Sequence, residues 1–257
     1  MTTRINESKT LGLLAAAAIG IAALLPTAHA DERPISLEAS ADVVSKYVWR
    51  GMLLTDDPVV QPGLTLSGYG LSLNVWGSVD LTDLNENDID AEYRLQELDY
   101  TASYAISPME GLDLEGGFIW YTFPGTVFDD TGEVYGSVAL SSIPLSPTLT
   151  VYYDVDEVEG YYGTFALGHS FELTEALSLD LGASIAYADE EYNEAYFGVD
   201  DDGLNDLALS ASLSYTVNEY VAVSATVGYS EILDNDIEDT MDDSDHTTVG
   251  LNITFSY

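Results

Sequence analysis

Cysteine is absent from the 257-residue chain, so neither disulfides nor a thiolate metal site can brace or arm it. Basic side chains are scarce, with six Lys and Arg against 45 Asp and Glu. That imbalance repels nucleic acid and anionic membrane faces and excludes a DNA- or RNA-binding role. Beyond the first 30 residues no run is long and apolar enough for a membrane-crossing helix. So acidic a chain could be disordered, but 46% apolar and 11% aromatic content favours a packed fold.

The first 30 residues read as a leader. Arg4 and Lys9 supply a basic stretch, residues 11–25 (LGLLAAAAIGIAALL) an apolar core, and Ala28-His29-Ala30 a small-residue cleavage site. Fifteen apolar residues fall short of the roughly 20 that span a bilayer, so a cleaved secretory signal fits better than a membrane helix. The expectation is a signal peptide over 1–30 and a single all-β domain over 31–257, exported to the outer membrane of a Gram-negative bacterium.

From residue 35 onward the dominant period is two. Ile35, Leu37, Ala39, Ala41 and Val43 alternate with Ser36, Glu38, Ser40 and Asp42. The same alternation returns at Leu177 to Tyr187, at Leu207 to Tyr215, at Val221 to Tyr229 and at Val249 to Tyr257. Strands with one apolar and one polar face produce this pattern, and no segment has a helical period. Twelve runs are expected, near 35–54, 58–67, 70–82, 89–106, 112–123, 133–142, 148–156, 161–172, 177–188, 205–216, 220–231 and 246–257; ten or fourteen are the alternatives. Many reach ten residues, the length that crosses a bilayer when tilted by about 45°.

The connections alternate as well. Short turns such as Ser67 to Gly70 and Val217 to Glu219 alternate with mostly longer acidic loops. Stretches 189–206 and 231–245 hold eight acidic residues each. Turns on one rim and loops on the other is the layout of a transmembrane antiparallel β-barrel, with turns and both termini periplasmic. A β-sandwich does not sort its loops by end, and a lipocalin-like barrel would need a dry interior that this charged face cannot supply.

In a membrane barrel the apolar face meets lipid and the polar face lines the lumen. Parity then sends Glu38, Asp42, Lys46 and Arg50 inward as one ladder on the first strand. Asp90, Glu92 and Arg94 follow on the fourth. A bulge near Gln96-Glu97 switches parity, so that Glu97 and Asp99 join the interior, with Asp113 and Glu115 from the next strand. Lys46, Arg50 and Arg94 among these carboxylates form either a salt-bridge network bracing the strands or a constriction that selects solutes. Trp49, Trp120 and Tyr187 are expected in an aromatic girdle at the loop rim, with Phe255 and Tyr257 in the other.

Residues 45–51 (SKYVWRG), then Pro58-Val59-Val60-Gln61-Pro62-Gly63 and Trp76-Gly77-Ser78, resemble the opening of porins of the TorF type, a strand reading S-D-Y-x-x-R-G, a P-x-x-Q segment and a W-x-S strand end. Glu97, Asp99 and Tyr104 are similar to that family's next acidic-aromatic strand. The resemblance covers residues 37–104 and implies an outer-membrane pore; Lys46 stands where an acidic residue is usual. The closing Asn252 to Tyr257 is similar to the aromatic signal read by barrel-assembly machinery.

Barrel hydrolases use serine and histidine, but His169 lies on the lipid-facing parity and His246 at the end of an acidic loop, neither at a recognisable spacing from a nucleophile. No catalytic role is expected. No cofactor is expected either, calcium on the acidic loops at 200–206 and 234–245 being the one candidate. Two functions fit: a diffusion pore for small hydrophilic solutes that prefers cations, or a non-conducting structural or surface-binding barrel whose lumen is plugged by charge.

Overall fold

The computed structural model describes residues 35–82, 94–124 and 126–257. Twelve strands hydrogen-bond in one closed antiparallel barrel. In chain order they are β1 (Ser36–Val44), β4 (Val59–Gly68), β5 (Leu71–Asp80), β6 (Leu95–Met109), β7 (Leu112–Thr122), β8 (Thr131–Ala139), β9 (Thr148–Asp154), β10 (Tyr161–Glu172), β11 (Leu177–Ala188), β12 (Gly203–Asn218), β13 (Val221–Ile232) and β14 (Asp245–Ser256). Two further strands, β2 (Tyr47–Trp49) and β3 (Met52–Thr55), form a separate hairpin. The barrel closes where β1 pairs with β14, from Glu38 opposite Ser256 to Val44 opposite Gly250. Both chain ends of the barrel lie on this rim, where Leu37 and Tyr257 exchange two 2.9 Å backbone hydrogen bonds.

Closure fits the alternation, because a closed sheet pairs every backbone group without a free edge. The odd residues of β1 and their counterparts face outward, leaving Leu64, Leu66, Leu71, Leu73, Leu251 and Phe255 exposed. In water such a belt would be a large exposed apolar patch; around a bilayer-spanning barrel it is the lipid face. The inward face of the turn half is lined by short polar side chains, among them Ser40, Asn74, Thr101, Ser212, Thr226 and Asn252.

The connections sort by rim. Two-residue turns such as Tyr69-Gly70 close one end, where both φ angles are positive (54° and 84°), as a right-twisted hairpin requires. The other rim carries 123–124, 126–130, 155–160, 189–202 and 233–244, and the β2–β3 hairpin inserted between β1 and β4. The parity switch on β6 is present as a register shift: Ser78 pairs with Glu97 but Val79 with Leu95, leaving Gln96 as the extra residue.

Two features depart from the sequence reading. The first run, 35–54, is not one strand. β1 stops at Val44, and residues 47–55 turn back on themselves through Arg50-Gly51. The acidic stretch after β11 contains a helix, α1 (Glu190–Phe197), capped by the Asp189 carboxylate on the Tyr192 N–H and ended by Gly198 at φ 72°. A single turn, α2 (Asn235–Glu238), is capped likewise by Asp234.

Candidate functional site

The β2–β3 hairpin turns through two residues with positive φ, Arg50 (48°) and Gly51 (81°), the conformation of a tight two-residue hairpin. Glycine at the second position is required twice over. Its φ penalises a side chain, and an added Cβ would overlap the Ile232 side chain and come within 3.1 Å of Asp206 Cβ. The tip therefore packs against the loop ends of β12 and β13.

From that tip Arg50 reaches across the barrel. Counting around the closed sheet, β9 is six strands from β1 in either direction, directly opposite. Twelve strands about 4.8 Å apart and tilted by about 40° give a wall-to-wall diameter of roughly 24 Å. Arg50 ends against the opposite wall: its two terminal nitrogens donate to the two oxygens of Glu133 on β8, each at 2.7 Å. Its guanidinium carbon lies 4.5 Å from the Tyr152 ring centre on β9 and 4.3 Å from that of Tyr162 on β10. Trp49, on the hairpin itself, lies at 4.5 Å and Tyr192 of α1 at 5.7 Å. Tyr192 is wholly buried, so α1 folds its aromatic side inward onto the same cluster.

Secondary contacts fix the cage. Tyr121 on β7 donates to Glu133 at 2.8 Å, and Tyr162 to Asp206 at 2.7 Å. Trp49 meets Tyr121 and Tyr196 edge-on. Asn205 donates to Asn193 of α1, which donates to the Asp201 carbonyl, tying helix to wall. Both charges of the Arg50–Glu133 pair are desolvated, with 6% and 1% exposure. Such a pair holds only because both forks are satisfied and ring faces take up the remaining guanidinium surface.

The charge around this plug is lopsided. Asp80, Glu97, Asp99, Glu133, Asp154 and Asp206 are all buried near the loop rim, with Arg50 the one buried Lys or Arg among the described residues. Some of these carboxylates serve the loops: Asp154 accepts from Thr131 and from the N–H groups of Asp156 and Val158. Glu97 and Asp99 lie together beside Tyr47 of the hairpin, and Asp99 Oδ1 has no hydrogen-bond partner among the described residues.

The residues expected in the lumen therefore divide. Glu38 and Asp42 sit on the inner parity of β1, bonded to Ser256 and Asn252 of β14. Glu97 and Asp99 lie inward at the loop end of β6. Arg50 is inside the lumen but does not continue the β1 ladder; the chain turns away after Val44 and delivers it from the hairpin tip. Lys46 leaves the ladder too, pairing with Asp56 across the hairpin base, where both are partly exposed. Arg94 is exposed at the loop rim, outside the cluster. Asp90 and Glu92 lie outside the described residues. Lower in the barrel, Asp113 accepts from Ser107 and Ser141, and Glu115 from Tyr135.

Trp49 is a correction to the girdle: it follows the hairpin into the lumen. Trp120 and Tyr187 stand on the outward parity at the loop rim, and exposed Tyr257 stacks beside Tyr220 at the other. His169 lies outward, edge-on to Phe171, and His246 faces inward. Among the described residues neither is hydrogen-bonded to a serine, threonine or carboxylate, and no group of three or more His, Cys, Asp or Glu is arranged to hold a metal.

Residues 63–257 match the family model described as MltA-interacting protein MipA. The KdgM porin, solved in complex with disordered oligogalacturonate, superposes with a TM-score of 0.54 at 12% identity, covering 86% of this chain and 99% of that one. The NanC porin gives 0.54 at 10% identity, covering 85% and 98%. At these identities the likeness is one of fold. Comparison with curated protein sequences returned no match. Together these findings give an outer-membrane β-barrel of porin-like architecture. The pore class expected from the opening motif agrees with them, while the family match carries the MipA description and does not extend to the TorF-type name.

Proposed function

The chain belongs to the MltA-interacting protein MipA family, and from that membership, the porin-like fold and the lumen described above we propose a cation-preferring diffusion channel for small hydrophilic solutes, closed at rest by the β2–β3 hairpin. The observation that carries this reading is the lumen itself. A closed twelve-stranded barrel presents a polar interior whose buried loop-end groups include six carboxyls and one guanidinium. A narrow lumen walled by low dielectric focuses that field, concentrating cations and excluding anions. The KdgM porin was solved with oligogalacturonate; the acidic loop end of this lumen makes polyanionic sugars a poor fit here.

The reading places the loop rim outside the cell, both termini in the periplasm, and the Tyr257 segment as the handle for barrel assembly. The acidic loops hydrate the outer rim, and their carboxylates cap helices or close turns, as Asp189 and Asp234 do. Chemistry on a substrate forms no part of the reading. Swelling of liposomes that contain the purified full chain tests solute class. Uptake of small amines exceeding that of size-matched carboxylates supports the channel; equal exclusion of both from a variant with the hairpin released removes it.

A second reading is favoured by one observation, the hairpin crossing the whole lumen. A barrel plugged in this way serves as a structural element or docking partner, and the family description names MltA as an interaction partner. It is distinguished by a barrel that stays impermeable after Arg50 is released from Glu133.

A further inference from the structure

Arg50 occupies something that has the composition of a binding site. Its partners on the barrel wall are a carboxylate engaged through both oxygens and tyrosine faces stacked around a planar cation. Glu133, Tyr152 and Tyr162 come from β8, β9 and β10, and Tyr192 from α1. None of the four belongs to the hairpin. Glu133 is held in place independently of Arg50 by the Tyr121 hydroxyl at 2.8 Å, and Tyr162 by Asp206. Glu133, Tyr152 and Tyr162 therefore belong to the wall, with Tyr192 closing over them from α1, and only Trp49 leaves with the hairpin. The cage's chemistry is narrow: two parallel acceptors in one plane select a guanidinium fork over a point-charge ammonium, and ring faces reward a weakly hydrated, delocalised cation.

We propose that this wall cage is a binding site for solutes bearing a guanidinium group, and that Arg50 is a tethered occupant with which such solutes compete. Binding and release of the plug are then one event. A solute guanidinium that takes Glu133 displaces Arg50, the hairpin loses its anchor on the opposite wall, and the lumen opens. A tethered group competes at an effective concentration in about the millimolar range or above, so a free solute displaces it from the native chain only at comparable concentration. The inference rests on the channel reading for the route by which solute reaches the cage; the cage itself does not.

The test uses the full chain with Arg50→Ala, ethylguanidinium as probe and ethylurea as its uncharged isostere. Ethylguanidinium at ten times its dissociation constant fills about nine sites in ten. It should raise the thermal midpoint of Arg50→Ala by about 3–5 °C and, added to the native chain at millimolar concentration or above, increase the frequency of channel openings. Ethylurea should do neither, and adding Glu133→Gln should abolish both effects. Equal effects from ethylurea, or no effect of ethylguanidinium on a folded variant, overturn the proposal. If Arg50→Ala does not fold, Arg50→Lys serves instead. Its ammonium cannot hold both Glu133 oxygens, so ethylguanidinium should speed thiol labelling of a cysteine placed at Val48, and an unchanged rate overturns the proposal. Stabilisation without conductance in any variant would retain the cage and remove the channel; conductance indifferent to ethylguanidinium would do the reverse.

Discussion

Substitution of Glu133 by glutamine removes one charge, keeps the side-chain volume, and leaves the barrel's hydrogen-bonded sheet intact. The native carboxylate accepts both Arg50 nitrogens at 2.7 Å and the Tyr121 hydroxyl at 2.8 Å, in a place where both charges are almost fully buried. Removing one partner of such a pair costs about 3–5 kcal/mol, because the remaining charge is stranded away from water. The stranded charge has an escape open to few buried arginines: the hairpin that carries it withdraws into solvent. The cost therefore falls on docking of the hairpin rather than on unfolding of the barrel, and shifts the docked-to-released ratio by a factor of about 10² to several times 10³. The chain has no natural cysteine, so a single cysteine at the buried hairpin residue Val48 reports release without background. Its labelling by a small thiol reagent should accelerate by about that factor in Glu133→Gln, while the thermal midpoint of the barrel moves little. Equal labelling rates in the two backgrounds would refute the argument, as would a global loss of stability with Val48 still protected.

Other perturbations rank against this one. Gly51→Ala forces a side chain into a φ of 81° and against Ile232, costing about 1–2 kcal/mol and giving labelling intermediate between the native chain and Glu133→Gln. Lys46→Ala breaks a partly exposed pair with Asp56 worth at most about 1 kcal/mol, so Val48 labelling should change less than about fivefold. Glu190, at the solvent-exposed start of α1, has its carboxyl raised above the ordinary value of 4.5 by neighbouring Glu191 and Asp200. The folded loop binds that proton more readily than the unfolded one, so its contribution is favourable at low pH and declines as pH rises through the raised midpoint. Titration of Glu190 by NMR should place the midpoint above 4.5, and Glu191→Gln should lower it.

Much of the barrel was legible because a period of two is imposed on every strand by lipid on one side and polar lumen on the other. The switch on β6 was visible for the same reason, since an extra residue reverses parity in the sequence as it does in the sheet. The hairpin was hidden by that rule. Tyr47 and Trp49 continue the odd apolar parity of Ile35 to Val43, so the run reads as one strand. Its length was the signal against this, since 20 residues at about 3.3 Å each is far more than a tilted crossing needs. Arg50-Gly51 between two short apolar runs was the place to break it. In α1, Asp189 as cap, acids in the first turn and Gly198 after the last are start and stop marks. Tyr192 and Tyr196, four apart in an acidic loop, share the face that packs inward. Neither clue involves hydrophobic periodicity over a long window, and the pairing of Arg50 with Glu133, 83 residues away, leaves no local trace.

A cation-preferring lumen held shut by Arg50 on the far wall is tested most directly by the reversal potential in a planar bilayer under a potassium chloride gradient, comparing the native chain with Glu133→Gln. Openings should be rare from the native chain and frequent from the variant, with a reversal potential of cation-selective sign in both. Silence from a folded variant whose Val48 cysteine is freely labelled, or a reversal potential of anion-selective sign, would contradict that expectation.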